Sequence, residues 1–148
     1  MKRFHFRLDP VIRYRKHLEQ AAQIKLAIAE QAVISCRNKI NDLKRLRKSF
    51  SNELAHEEKK GITAHAYKIY KQYIEKIDCD VASEKQRLKE AIMSRDRKKV
   101  DLKTASIKKK SLEHLRGIEQ SRYTEECDRI EQKTADELSL LRRKLTVS

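Results

Sequence analysis

The sequence is nearly devoid of turn-forming residues. Its 148 residues include two glycines, Gly61 and Gly117, and one proline, Pro10. Sandwich and α/β folds need many turns, and turns depend on Gly, Pro, Asn and Asp, so these fold classes are excluded. The abundant residues are Ala, Leu, Glu, Lys, Arg and Gln, which favour helices. The composition therefore predicts an all-α protein built from long helices or a coiled coil.

Cysteines and apolar runs are also scarce. Cys36, Cys79 and Cys127 lie far apart and form no CxxC pair. This spacing favours a reducing cytosol and small buried side chains over a disulfide or zinc framework. No apolar run approaches the roughly 18 residues that a membrane span requires. The basic N-terminus has no apolar stretch behind it, so a secretory signal is not expected and the protein should be cytoplasmic.

The residue patterns that carry enzyme chemistry are missing. A phosphate-binding Walker loop needs two glycines within six residues, and the five histidines form no HExxH zinc pair. The carboxylates have basic neighbours at helical spacing, which is typical of a solvated helix surface. We therefore expect no catalytic residues, no cofactor and no metal site.

Positive charge is concentrated in three windows. The net charge is +14, and residues 1–16, 37–48 and 95–110 carry all of the excess. Basic patches suit nucleic acid, anionic lipid or an acidic protein surface. In a hairpin, windows 37–48 and 95–110 are expected at similar heights. They would then form one basic belt, or merely a solvated face, that includes Arg45, Lys48, Lys98, Lys99 and Lys109.

A heptad pattern predicts the first helix. Residues 1–8 are expected to be extended or frayed, and Asp9 followed by Pro10 is a helix-start signal. No Gly or Pro follows until Gly61. The apolar positions alternate in steps of three and four, with one stutter after Ala22 and polar interruptions at two arginines. The predicted seam is Leu8, Val11, Arg15, Leu18, Ala22, Leu26, Ala29, Val33, Cys36, Ile40, Leu43, Arg47, Phe50 and Leu54.

A break at residues 60–63 separates this helix from a second one. Gly61 can end a helix in the left-handed conformation, and Thr63 can cap the next. Beyond the break, two apolar faces follow: Tyr70, Ile74, Ile77 and Val81, and then Tyr123, Cys127, Ile130, Thr134, Leu138, Leu141 and Leu145.

These elements predict an elongated antiparallel two-helix coiled coil that forms a single domain over residues 1–148. Helix A is expected at about 9–60, a short or kinked tip helix at about 64–78 and helix B at about 79–145. A straight overhang of helix B is the alternative to the tip helix. Val33, Ile40 and Leu138 are predicted between the helices, and Gly117 is expected to mark a bend.

Three local features together resemble one family. They are the opening F-x-F-x-L-D-P-V-I-R-Y-R-K from Phe4 to Lys16, Gly61-Ile62-Thr63 at the break, and Tyr70-Lys71-Gln72-Tyr73-Ile74 after it. With its length and hairpin layout, the chain resembles the FliJ family along nearly its whole length. Members are small basic coiled-coil components of the bacterial flagellar type III export apparatus. The resemblance implies a non-enzymatic role like that of the central stalk of rotary ATPases.

The resemblance also implies partners and a location. The expected partners are the hexameric flagellar export ATPase, the cytoplasmic domain of the membrane export gate, and export chaperones. The protein would associate peripherally with the cytoplasmic face of the inner membrane and have no membrane span. The basic belt would then be a collar that contacts acidic loops of the ATPase ring.

By position relative to Gly61, the resemblance places the export-gate contact on Tyr73 and Ile77, with Leu43, Leu46 and Phe50 opposite. The heptad leaves an alternative for these residues. Leu43 and Phe50 fit the seam, and Tyr73 and Ile77 would then seal the tip against Leu46 and Phe50. Because Tyr70 and Tyr73 are three residues apart, one of them should be exposed.

Two other functions remain open on the sequence alone. The basic windows are compatible with a nucleic-acid-binding hairpin, although no aromatic stacking residues are interleaved with them and nucleic acid is not the expected partner. A plain structural coiled coil that forms homodimers is the other alternative.

Overall fold

A computed structural model describes residues 3–146 and contains two α-helices. Helix α1 is Asp9–Lys60 and helix α2 is Ala64–Thr146. They pack against each other as a helical hairpin, and the described residues include no strand. The predicted all-α hairpin is confirmed.

The connection between the helices uses the two predicted residues. Gly61 has a φ of +87°, which an L side chain rarely adopts, and its amide donates to the Glu58 carbonyl at 3.2 Å. The Thr63 Oγ1 accepts a hydrogen bond from the Ala66 amide at 3.2 Å and so caps the start of α2. One residue therefore ends α1 and another begins α2.

Packing divides the chain into two units. Unit 1 comprises the described parts of Met1–Gln20 and Thr104–Ser148, and unit 2 comprises Ala21–Lys103. Each unit contains one segment of α1 and one of α2.

Two interhelical ion pairs identify the register within unit 2. The Lys39 Nζ lies 2.8 Å from the Glu84 Oε1, and the Arg47 Nε lies 2.5 Å from the Asp78 Oδ1. The partner number on α2 falls as the number on α1 rises, so the segments are antiparallel. The buried core of this unit consists of Val33, Ile40, Leu54, Ile74 and Ile77. The predicted positions of Val33 and Ile40 are confirmed.

The first turns of α2 differ from the predicted tip. Residues 64–78 do not form a separate helix, because α2 is continuous from Ala64 to Thr146. No Gly or Pro interrupts the backbone near residue 78, and the face that carries Ile74 and Ile77 continues through the half-buried Val81. Neither a helix-breaking residue nor a rotation of the buried face is therefore present to end a helix near residue 78.

The N-terminal segment of unit 1 is packed and not frayed. Phe6 is only 1 % exposed, and the Phe4 ring lies 5.5 Å from the Tyr123 ring, measured between centroids. Ile12 is buried, whereas the predicted seam residue Val11 is exposed. The predicted seam is thus wrong at Val11, whereas its neighbours Leu8, Arg15 and Leu18 are half-buried.

The last part of α2 extends past the residues that α1 covers. In unit 1 the Asp9 Oδ1 already lies 3.3 Å from the Arg116 Nε, so α1 begins opposite that turn. Leu138 is consequently 57 % exposed, and its predicted place between the helices is wrong. The excess length of α2 is found here, as in the overhang alternative.

The two glycines make a matched pair for a stability test. A Cβ added at Gly117 would have no heavy atom within 4 Å, and the residue lies in the interior of α2. Gly117→Ala should therefore raise the free energy of unfolding by about 1 kcal/mol in chemical denaturation. Gly61→Ala should lower it by roughly 1 kcal/mol, because an L side chain is strained at positive φ. A less stable Gly117→Ala would indicate that the glycine serves a bend.

Candidate interaction surfaces

Three apolar side chains of unit 2 form a partly exposed cluster, which we call the apolar patch: Leu46 and Phe50 of α1 and Tyr73 of α2. The ring centroids of Phe50 and Tyr73 are 4.7 Å apart. Leu46 precedes Phe50 by four residues and so lies on the same helical face. Tyr73 is 47 % exposed and Leu46 42 %, while Phe50 is half-buried. The structure therefore brings together three of the five predicted gate residues at the surface.

The neighbouring tyrosine faces the other helix. Tyr70 is half-buried, and its hydroxyl donates to the Glu53 Oε1 at 3.3 Å. Burial raises the pKa of Tyr70, and the nearby Glu53 carboxylate raises it further. The prediction that only one of the two tyrosines is exposed is confirmed, and Tyr73 is the exposed one.

Ile77 and Leu43 are less exposed than Leu46 and Tyr73 of the apolar patch. Ile77 is 3 % exposed and belongs to the core, and Leu43 is half-buried in the seam. Ile77 follows Tyr73 by four residues, but it shares the inward face with Ile74, whereas Tyr73 lies at the edge of that face. The predicted exposure of Ile77 is wrong, because Ile77 lies in the seam between the helices and Tyr73 lies at its edge.

A buried carboxylate interrupts the seam beyond the patch. Glu84 is 5 % exposed and forms ion pairs with Lys39 at 2.8 Å and Arg87 at 2.9 Å. These cations, Lys39 foremost, hold the pKa of Glu84 below its ordinary value despite the opposing effect of burial. Sequence reasoning did not assign Glu84 to the seam. The available signal was its spacing of seven residues from Ile77.

The Glu84 ion pairs make stability depend on pH. A lowered folded-state pKa means that the stabilisation is complete above the ordinary Glu value of about 4.3 and is lost as the pH falls through the folded-state pKa. The melting temperature of the wild type should exceed that of Glu84→Gln most clearly near neutral pH. The gap should shrink below about pH 4. A gap that is constant with pH would show that the carboxylate charge contributes nothing.

The predicted basic belt does not assemble. Within unit 2, residues 39–47 of α1 face residues 78–84 of α2, whereas Lys98 lies fourteen residues after Glu84, a rise of about 21 Å along the helix. Window 37–48 is thus opposite acidic residues and not opposite window 95–110. The similar-height prediction is wrong, because it assumed a register that the interhelical ion pairs do not allow.

The five predicted belt residues also differ in their surroundings. Lys109 belongs to unit 1, where its Nζ lies 2.7 Å from the Glu19 Oε2 and its side chain is largely covered. The Glu19 carboxylate raises the pKa of Lys109. In unit 2, Arg45, Lys48 and Lys99 are exposed and Lys98 is half-buried. Of the five predicted residues, Arg45, Lys48 and Lys99 present an exposed positive charge.

The described residues were also compared with the requirements of a metal site and of a membrane span. Among residues 3–146, no three His, Cys, Asp or Glu side chains are grouped closely enough to hold a metal ion. Over the same residues, neither helix offers a stretch both long and apolar enough to cross a membrane.

The fold and its surfaces define a basic helical hairpin of the coiled-coil class. The sequence profile described as "Flagellar FliJ protein" matches residues 4–144, and the chain belongs to this family. The chain is therefore a component related to flagellar type III protein export.

A solved structure shares the fold along nearly its full length. It is described as a putative YscO homolog from Chlamydia trachomatis, with a TM-score of 0.56 and 17 % sequence identity over 97 % of each chain. At that identity the likeness concerns the fold alone. No curated protein matches the sequence.

Proposed function

We propose that the protein is a non-enzymatic, stalk-like adaptor of the flagellar export apparatus. It links the hexameric export ATPase to the cytoplasmic domain of the export gate and to export chaperones, at the cytoplasmic face of the inner membrane. The observation that carries the proposal is the apolar patch, exposed on a hairpin of the FliJ family.

The composition of the apolar patch supports a gate contact. Aromatic residues at the centre of an interface commonly contribute most of the binding free energy. The Phe50 ring lies against Tyr73, so the exposed tyrosine is partly ordered before it meets a partner, and less side-chain entropy is lost on binding. The adjacent Arg47 is held by two contacts to the Asp78 carboxylate, from Nε at 2.5 Å and from Nη2 at 3.4 Å. This charge pair borders the patch.

The exposed cations of unit 2 support an ATPase contact. Arg45, Lys48 and Lys99 are exposed, so acidic loops of a partner can reach them. Attraction of this kind acts mainly on the rate of association and weakens with salt. Lys109 is less accessible for such a contact, because its side chain is largely covered and paired with Glu19.

A three-partner binding assay tests the proposal. The purified chain is titrated with the export ATPase, with the cytoplasmic gate domain and with a DNA fragment, each at two salt concentrations. Saturable binding to both proteins supports the adaptor. Binding to DNA alone, with the steep salt dependence of phosphate contacts, would support the nucleic-acid alternative. Binding to none of the three would leave a plain coiled coil.

Charge reversal tests the ATPase contact separately. Arg45→Glu combined with Lys48→Glu should weaken ATPase binding at low salt by about tenfold and flatten its salt dependence. Lys25→Glu combined with Lys85→Glu changes the net charge equally at other exposed positions of unit 2 and is the matched control. An equal loss in both variants would show that only net charge matters.

A further inference from the structure

Four exposed cations line one edge of the packed helices in unit 2, and we call this surface the basic face. Its members are Arg37 and Lys44 of α1 and Lys85 and Lys89 of α2. Within residues 3–146, none of the four forms an ion pair. Of the carboxylates on the facing turns, Asp78 is held by Arg47. Glu84 is held by Lys39 and Arg87. The basic face therefore presents positive charge that no carboxylate at ion-pair distance compensates.

A contact across the seam places the two rows of cations on the same edge. Arg47 of α1 meets Asp78 of α2 at this edge. Lys44 precedes Arg47 by three residues and so lies next to it on the helix surface. Lys85 follows Asp78 by seven residues, which is two turns along the same side of α2. The cations of both helices thus point to one side of the hairpin.

The interhelical register also sets them at similar heights. Lys39 lies 2.8 Å from Glu84, the residue before Lys85. Arg37 is two residues before Lys39, and Lys44 is five residues after it. Lys85 is therefore level with a point between Arg37 and Lys44, and the fourth member lies one turn beyond Lys85. The rows run side by side about 8 to 10 Å apart, and the α1 row spans about 10 Å of helix.

This arrangement opposes the usual pairing beside a coiled-coil seam. Positions that flank a seam commonly carry opposite charges on the two helices. The other edge of unit 2 follows this rule, because Lys39 meets Glu84 there. On the basic face, like charges flank the seam from both sides and repel each other. A bound anionic surface would remove that repulsion.

The chemistry of the basic face favours anionic lipid over protein or nucleic acid. Protein interfaces are enriched in aromatic residues and depleted in lysine, whereas three of the four members are lysines and residues 37–44 and 85–89 include no aromatic ring. Two helices side by side are about 20 Å wide, which exceeds the roughly 12 Å major groove of DNA. Clusters of four to eight Lys or Arg side chains on helices are typical of binding to anionic headgroups.

We propose that the basic face binds the anionic headgroups of a phospholipid bilayer, with the helices of unit 2 lying parallel to the membrane surface. The two rows form a flat area that matches a plane of phosphates by charge and by shape. The proposal goes beyond the adaptor role, because it requires neither the gate domain nor the ATPase.

Vesicle flotation tests the lipid contact on the full chain. The wild type should float with vesicles of phosphatidylglycerol mixed with phosphatidylcholine, and should bind pure phosphatidylcholine vesicles at least about tenfold more weakly. Binding at about 0.1 M salt should be lost at about 1 M salt, because the Debye length falls from about 10 to about 3 Å. A wild type that does not float with the anionic vesicles would overturn the proposal.

Charge reversal identifies the face. Arg37→Glu combined with Lys85→Glu should weaken binding to the anionic vesicles at least about tenfold. Lys44 then gains carboxylates at the same edge, so the melting temperature should not fall. Lys48 adjoins the basic face but is left unchanged, because it is proposed to contact the ATPase.

Lys25→Glu combined with Lys76→Glu is the matched control. It changes the net charge equally at two exposed positions of unit 2. Lys25 precedes Lys39 by fourteen residues and Lys76 follows Tyr73 by three, so both lie towards the other edge. This variant should keep vesicle affinity to within about threefold. An equal loss in the two variants would show that net charge alone governs binding and would overturn the assigned face.

A fluorescent label tests the orientation on the bilayer. In a background with all three native cysteines replaced by Ser, Asn41→Cys places the label between Arg37 and Lys44, and Ala32→Cys places it seven residues before Lys39 on the other edge. A quencher attached to the lipid headgroup should quench the label at position 41 more strongly than at position 32. Equal quenching at the two positions would contradict the parallel orientation.

Two further titrations of the Arg37/Lys85 variant separate lipid from other anionic partners. Its affinities for the ATPase and for a DNA fragment should equal those of the wild type. Loss of DNA binding with vesicle binding retained would assign the basic face to nucleic acid, and loss of ATPase binding with vesicle binding retained would assign it to an acidic protein surface. Either result would overturn the proposal.

Discussion

Replacing Ile40 by Asp is expected to destabilise unit 2 by roughly 3 to 5 kcal/mol. Ile40 is buried between α1 and α2 beside Val33, and the nearest cation in sequence, Lys39, is already paired with Glu84. A carboxylate at position 40 would therefore be buried without a partner, and the methyl groups of Ile40 would be lost from the seam. The measurement is the free energy of unfolding in urea, followed by helical circular dichroism.

Ile28→Asp is the matched control for this substitution. It lies twelve residues earlier on the same helix, in the same unit, and its side chain is largely exposed. A surface substitution of this kind should change stability by less than about 0.5 kcal/mol. Comparable losses at the two positions would mean that the seam is wrongly assigned in unit 2.

Removal of the apolar patch is expected to have the second large effect, a loss of gate binding. This prediction rests on the proposed gate contact. Leu46→Ala combined with Tyr73→Ala should cost about 2 kcal/mol of binding free energy, which is roughly a 30-fold weaker affinity for the gate domain. Both side chains are about half exposed, so the hairpin should remain folded. Isothermal titration with the gate domain and thermal melting are measured on the same variant, and ATPase affinity should be unchanged.

Two comparison variants separate binding from folding. Tyr67→Ala removes another exposed tyrosine of α2, outside the patch and near the Lys71 ammonium at 5.6 Å from its ring centre; gate affinity should be retained. Ile77→Ala should instead lower stability by about 2 to 5 kcal/mol, because it leaves a cavity in the core. Full gate affinity in a stable Leu46/Tyr73 variant would contradict the role of the patch.

Local sequence signals were sufficient to predict the two helices and the connection between them. Gly61 and Thr63 act at the break as their chemistry requires, because a left-handed helix end and a hydroxyl cap are decided by a few neighbouring residues. The absence of other breakers likewise specifies two long helices. The apolar periodicity placed Val33 and Ile40 correctly, since a face regular over several turns has one inward direction.

Periodicity was a poorer guide where the partner helix decides burial. Val11 and Leu138 both fit the pattern and both are exposed. In the first turn of α1, Ile12 is buried in place of Val11. At Leu138 the pattern continues although α1 no longer runs alongside. An apolar face predicts that it is covered, but it does not identify the helix that covers it.

The same division holds for the candidate sites. The sequence by itself determined the two helices, the break, the excess of positive charge and the family resemblance, because each depends on residue type and local spacing. Only the tertiary structure decided the interhelical register. That register buries Ile77 and leaves Tyr73 at the surface, sets Glu84 against Lys39, and separates the two windows of the predicted belt. It is the sum of many contacts between residues distant in sequence, including the pairs Arg47–Asp78 and Glu19–Lys109 within their units. A one-dimensional pattern compatible with several alignments cannot choose among them.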